Sequence, residues 1–145
     1  MNREEFDKYL KSRYKCQIAW YGRASLRNNR AYQIFQWTAI ILSASTPVLI
    51  VIGEGWVKWL AVVVAAVVAI STAALKTFKY QENWISYRTT AETLKKEIHF
   101  YEATIQGYEN VEDKEALFVE RVESLISREN SLWLITHEKK EQNKE

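Results

Sequence analysis

Cysteine, proline and glycine are scarce in this chain, with one, one and four copies in 145 residues. A lone Cys16 cannot close an intrachain disulfide, and His99 and His137 stand too far from it and from each other to give a metal-ligand spacing. So little proline and glycine argues against a strand-rich fold with frequent turns and for long helices. No glycine-rich phosphate loop is present, and no nucleophile stands with a base at a recognisable spacing. The expectation is therefore an all-α protein that is not an enzyme, with no catalytic residues, no metal ligands and no cofactor. A net charge of +2 does not demand a nucleic-acid partner, and none is expected.

What the chain has instead is apolar length. Two runs, 34–52 and 57–75, stand back to back with only Gly53, Glu54, Gly55 and Trp56 between them. Crossing a hydrocarbon core of about 30 Å takes roughly 20 apolar residues, and each run with its flanking aromatics is about that long. Buried core helices of a soluble protein are the alternative, but the charged flanks leave little protein to cover two such helices on all sides. The first run begins too deep to be a signal peptide and is followed at once by the second. A mean hydropathy of −0.31 hides this segregation, because polar flanks dilute the two runs.

Charge sets the expected orientation. Between residues 8 and 33 the charged residues are Lys8, Lys11, Arg13, Lys15, Arg23, Arg27 and Arg30, without a carboxylate, and Lys76, Lys79 and Arg88 follow the second run. Basic residues near membrane ends favour the cytoplasmic side. This predicts a multi-pass protein of the cell inner membrane with both termini cytoplasmic. Its parts are a cytoplasmic amphipathic helix (1–33), transmembrane helices at 34–52 and 57–75, an external turn (53–56), a cytoplasmic helical hairpin (76–138) and a polar tail (139–145).

The flanks carry helical stripes. Tyr14, Ile18, Tyr21, Ser25, Asn28, Tyr32 and Phe35 recur in steps of four and three, and nothing near Ile34 would stop that helix from entering the first span. Trp84, Tyr87, Ala91, Leu94, Ile98, Tyr101, Ile105 and Tyr108 keep the same alternation, which describes a coiled-coil-like seam. A continuous helix over 57–106 would be about 75 Å long. Gly107 and the polar stretch after it supply a turn, and a further stripe from Leu117 to Trp133 is expected to fold back. In such a hairpin, facing residues have numbers that sum to roughly 219. That register puts Glu129, which holds a position where leucine would be expected, near Arg88 as a structural ion pair.

Within the spans, Ala61, Ala65, Ala69 and Ala73 repeat every four residues, and Ala39 and Ser43 give the first span a small pair; such ridges let helix backbones approach in lipid. They point to packing within the hairpin, between subunits, or both. Apart from Lys58 at one edge, no charge lies in either run, which argues against a coupled transporter. Thr38, Ser45, Ser71 and Thr72 are pore-lining candidates, although hydroxyls in membrane helices often bond their own backbone. Pro47 removes a helix hydrogen bond and is a gating candidate or a static bend. Arg23, Arg27 and Arg30 fall at i, i+4 and i+7 and suit contact with lipid headgroups or another anion. Trp20, Trp37, Trp56, Trp59, Trp84 and Trp133 read as an interfacial belt.

Tyr14, Trp20, Tyr21 and Ala24, then Pro47, then residues 84–97 (WISYRTTAETLKKE), then Glu129 with Trp133, together resemble the SLATT superfamily of bacterial two-transmembrane proteins, many of them of the domain of unknown function 4231 type. The resemblance implies a pore-forming effector of bacterial conflict systems, often placed beside proteins that make or sense nucleotide signals. With no fused sensor domain in the chain, the trigger is expected to be a separate soluble partner or ligand. The leading expectation is thus a homo-oligomer in the lipid bilayer that opens or disrupts the membrane. Its rival is a membrane-anchored scaffold that recruits a cytoplasmic partner without conducting.

Overall fold

The protein, seen in a computed structural model that describes the backbone of residues 2–142 and the side chains of residues 2–128 and 131, is all-α. Helix α1 spans Arg3–Tyr9 and passes through a π-helical segment, Leu10–Tyr14, into α2, Lys15–Ile52. Helices α3 (Trp56–Phe78), α4 (Tyr80–Ala103) and α5 (Lys114–Gln142) complete the chain, and no strand occurs among the described residues. Two compact units result: Met1–Ala24 with Ser86–Glu145, and Ser25–Ile85.

The first unit is an aromatic-rich helical core. Phe6, Tyr14, Tyr21, Ala91, Leu94, Tyr108, Phe118, Val122 and Ile126 are its buried side chains. Phe118 receives three rings, from Phe6, Tyr14 and Tyr101, at centroid distances of 5.6, 5.3 and 5.4 Å, in the tilted and edge-on arrangements that aromatic quadrupoles prefer. Helices α4 and α5 are antiparallel, with Tyr101 on Phe118 and Glu97 against Arg121, pairs whose numbers sum to 219 and 218.

Helix α4 ends at Ala103, three residues before the glutamine where periodicity alone would carry it. Thr104 takes φ 55°, its N–H donates to the Tyr101 carbonyl at 3.2 Å, and the Ile105 N–H donates to the Phe100 carbonyl at 3.1 Å. That pair of bonds is the Schellman arrangement, built here on threonine where glycine is usual. Ile105 consequently leaves the buried stripe and is 45% exposed. Gln106 (φ 59°) and Gly107 (φ 95°) complete the reversal, and Asp113 opens α5 by accepting the Ala116 N–H at 2.9 Å.

The second unit pairs the rest of α2 with α3. On α3 the buried or half-buried positions Val57, Ala61, Val64, Val68, Ser71 and Leu75 follow steps of four and three. On α2 a stripe of the same spacing, Ser25, Asn28, Tyr32, Phe35, Ala39, Leu42, Thr46 and Leu49, is likewise buried or half-buried. Gly53 lies buried at the end of α2, where a Cβ would run into the Leu49 carbonyl oxygen. The single long helix expected over 57–106 is divided at Lys79, which takes the left-handed conformation (φ 47°, ψ 39°). The Asn83 side-chain amide donates to the Phe78 carbonyl at 3.1 Å and so satisfies one carbonyl that the break releases. Tyr80, just past the break, stacks on Phe35 at 5.8 Å and 10°.

Candidate functional site

The feature with the largest functional content is the outer surface of the second unit. Side chains that a water-soluble protein buries, such as Ile34, Ile41, Val51, Val62, Val63 and Ile70, are exposed there, Val51 to 84%. The most apolar 18-residue window of the first long helix is 0% buried and that of the second 11%. Buried core helices would show the reverse, and contiguous apolar surface on this scale marks contact with a membrane or with a protein partner. By length and composition, two helices are able to cross a membrane. Trp56 and Trp59 stand 74% and 75% exposed beside the turn that joins them, as aromatic-belt residues would. Trp20, expected in the same belt, is 46% exposed and meets Tyr21 and Tyr87 edge-on within the first unit, at 5.0 and 5.6 Å.

Two of the four hydroxyls proposed from sequence as pore lining are bonded within their own helices. Ser45 donates to the Leu42 carbonyl at 2.9 Å and Thr72 to the Val68 carbonyl at 2.8 Å, each within its own helix. Ser71 is buried on the α3 face that packs within the unit, Thr38 is half-buried, and Pro47 is exposed inside an uninterrupted α2. The small-residue ridge divides as well. Ala61 is buried and Ala39 half-buried, whereas Ser43, Ala65, Ala69 and Ala73 face outward. The reason is geometric: at 3.6 residues per turn, steps of four drift about 40° each, so a strict four-residue repeat winds off the face that the four-three alternation holds.

The first unit buries a carboxylate that sequence periodicity did not single out. Glu97 is 8% exposed; its Oε1 accepts the Tyr108 hydroxyl at 2.6 Å and faces Arg121 Nη1 at 3.3 Å. Arg121 also lies over the Tyr108 ring at 4.7 Å and donates to the Gln106 carbonyl at 2.9 Å, so the turn after α4 is tied to α5. Burial, and then Glu97, push the Tyr108 phenol upward, so it stays protonated as a donor. The available signal was spacing, since Glu97 lies three after Leu94 and four before Tyr101, on the edge of the stripe. Arg88 is exposed, and its expected partner Glu129, with Trp133, lies outside the residues whose side chains are described.

A second polar knot joins the N-terminal segment to α5. Arg13 donates Nε and Nη2 to the two carboxylate oxygens of Glu123, both at 3.0 Å, and the Tyr9 hydroxyl donates to the same group at 2.9 Å. Arg13 also borders an open groove of about 520 Å³ with Cys16, Gln17, Trp20 and Arg23. Arg23, Arg27 and Arg30 are exposed on α2, as contact with an anionic surface requires. Among the described residues, no group of three or more His, Cys, Asp or Glu side chains gathers into a metal-binding set.

A family model described as protein of unknown function (DUF4231) matches residues 16–116, a stretch that contains both apolar runs and residues 84–97. No curated protein and no solved structure matches the chain.

Proposed function

The chain belongs to the DUF4231 family, whose function is unknown, and from its own geometry we propose that it is an integral membrane protein that inserts its second unit as a two-helix hairpin and acts as a homo-oligomer that opens or disrupts the membrane. The observation that carries this reading is the unburied apolar surface of the two long helices, 0% and 11% buried in their most apolar windows. Without water to compete, helix association in a bilayer relies on close backbone approach at small residues. Ala65, Ala69 and Ala73 face away from the hairpin's own packing and offer that contact to a second copy. The resemblance to SLATT proteins supports a bacterial conflict effector at the inner membrane, with both termini cytoplasmic and a separate nucleotide-signal sensor or other soluble partner as trigger. It acts on the bilayer rather than as an enzyme.

The test is release from dye-loaded liposomes. Wild type is expected to release dye, and Ala65→Leu with Ala69→Leu to abolish release while still floating with the vesicles. Inserted protein that releases nothing in any lipid composition or at any voltage would put the scaffold reading first. That second reading has its own support, because the Ser45 and Thr72 hydroxyls are bonded to their own helices rather than offered to a pore.

A further inference from the structure

An open cleft of about 540 Å³ lies in the second unit where α3 changes from apolar to basic. Part of its lining is apolar: Ala39, Ile40 and Leu75. Thr72 joins them, its hydroxyl being engaged by the Val68 carbonyl. The rest is polar, with Lys76 and Lys79 from α3 and its end, Tyr32 and Gln36 from α2, and Gln81 and Glu82 from α4, so that two cations stand with one carboxylate. Positions 72 and 79 are separated by about 10 Å along a helix, so the lining grades from hydrocarbon-like to cationic over roughly that length. Its volume falls within the usual range of small-molecule sites, about 300–1,000 Å³.

Three details give the cleft a preference. Lys76 is exposed and forms no ion pair among the described residues, the cleft's one carboxylate, Glu82, being on Lys79 instead. Lys79 is held at the edge in the left-handed conformation, with Glu82 Oε2 at 3.0 Å on its ammonium. A non-glycine residue kept in that conformation marks a place where the fold imposes a local geometry. Gln36 Oε1 is buried without a hydrogen-bond donor, so a ligand hydroxyl would complete it once the Gln36 side chain turns into the cleft.

We propose that this cleft binds one phospholipid with an anionic, hydroxyl-bearing headgroup, such as phosphatidylglycerol. The phosphate lies against Lys76 and Lys79, a headgroup hydroxyl reaches Gln36, and one acyl chain follows Ala39, Ile40 and Leu75. Free phosphate would use the cationic end and leave the apolar wall wet, whereas a lipid uses both. The inference rests on the membrane reading above.

The full chain is reconstituted into phosphatidylcholine vesicles containing phosphatidylglycerol, tested for co-flotation, then extracted in mild detergent, and its retained lipid counted by native mass spectrometry. Wild type is expected to keep one phosphatidylglycerol in preference to phosphatidylcholine. Lys76→Gln with Lys79→Gln should lower that retention about tenfold, since each cation contributes to headgroup attraction. Ile40→Trp, which fills the apolar part and leaves both lysines, should lower it too, and Lys58→Gln near the start of α3 should not. Circular dichroism confirms that each variant is folded. Equal retention of the two lipids, or a double lysine variant that retains lipid like wild type, overturns the proposal. Full displacement by inorganic phosphate also overturns it and leaves a free-anion site. A chain that floats but retains no phosphatidylglycerol removes the cleft alone, whereas a chain that does not float removes the membrane reading with it.

Discussion

Glu123 shows how a single side chain couples this fold to pH. Its carboxylate is held below the ordinary value of 4.5, first by the Arg13 guanidinium that it accepts through both oxygens and then by the Tyr9 hydroxyl, against an opposing effect of burial. Because the folded value lies below the unfolded one, the folded protein binds fewer protons at this site. The resulting stability is present above pH 4.5 and is lost as pH falls through the depressed value. The midpoint of thermal unfolding is therefore expected to drop on acidification below that pH, and Glu123→Gln should show a shallower drop. Glu92 and Glu109, also held low, remain in the variant, so the difference between the two curves isolates Glu123. Parallel curves would show that the knot adds nothing to acid sensitivity. Glu97 carries the complementary lesson about what could be read in advance. The stripe position of Glu129 predicts a pairing with Arg88, but the carboxylate that the described core buries, Glu97, lies on a stripe edge. Its partners, Tyr108 and Arg121, are a stripe residue beyond the turn and a residue that the hairpin register sets opposite it, so the pairing was legible in the register although the burial of Glu97 was not.

Among the elements, the four-three stripes were legible. Tyr14, Ile18, Tyr21, Ser25, Asn28, Tyr32 and Phe35 all prove buried or half-buried along one continuous run of helix, and the α4–α5 register follows from the position of the turn. The helix ends were less legible, because Lys79 and Thr104 enter the left-handed region without the glycine that usually announces it. Both residues are good or acceptable in helices by propensity, and the break is imposed by surroundings, Asn83 on the Phe78 carbonyl and Tyr80 on Phe35. This makes the break at Lys79 testable by a reversal of sign. Inside a helix, glycine is worse than alanine by about 0.5–1 kcal/mol, whereas at a left-handed position the Cβ is the liability, at about 1–2 kcal/mol. Lys79→Gly is thus expected to be more stable than Lys79→Ala by about 1 kcal/mol in denaturant unfolding. Both variants lose the Glu82 pair, so that contact cancels. Alanine ahead of glycine would mean that α3 and α4 form one helix through this residue.

At the scale of the whole molecule, charge is segregated along the chain more sharply than any single site is built. Seven basic residues and no carboxylate lie between residues 8 and 33, while the turn between the apolar helices carries only Glu54, with Lys58 just inside α3. If the second unit crosses a bilayer twice, residues on either side of it share a compartment and the turn occupies the other, and the positive-inside bias assigns the basic flanks to the cytoplasm. The protein carries its own probe of that arrangement, because Cys16 is its sole cysteine and is exposed. In intact bacterial spheroplasts a membrane-impermeant maleimide should leave Cys16 unlabelled until the membrane is permeabilised. With Cys16→Ser and Glu54→Cys combined, the same reagent should label the turn from outside, since residue 54 is exposed and has no packing role to lose. The opposite pattern would keep the hairpin and invert it, meaning that a factor other than flanking charge sets its orientation. Labelling of both positions from the same side would mean that the apolar helices do not cross, and their exposed surface would then need a protein partner, or a second copy of the chain, to cover it.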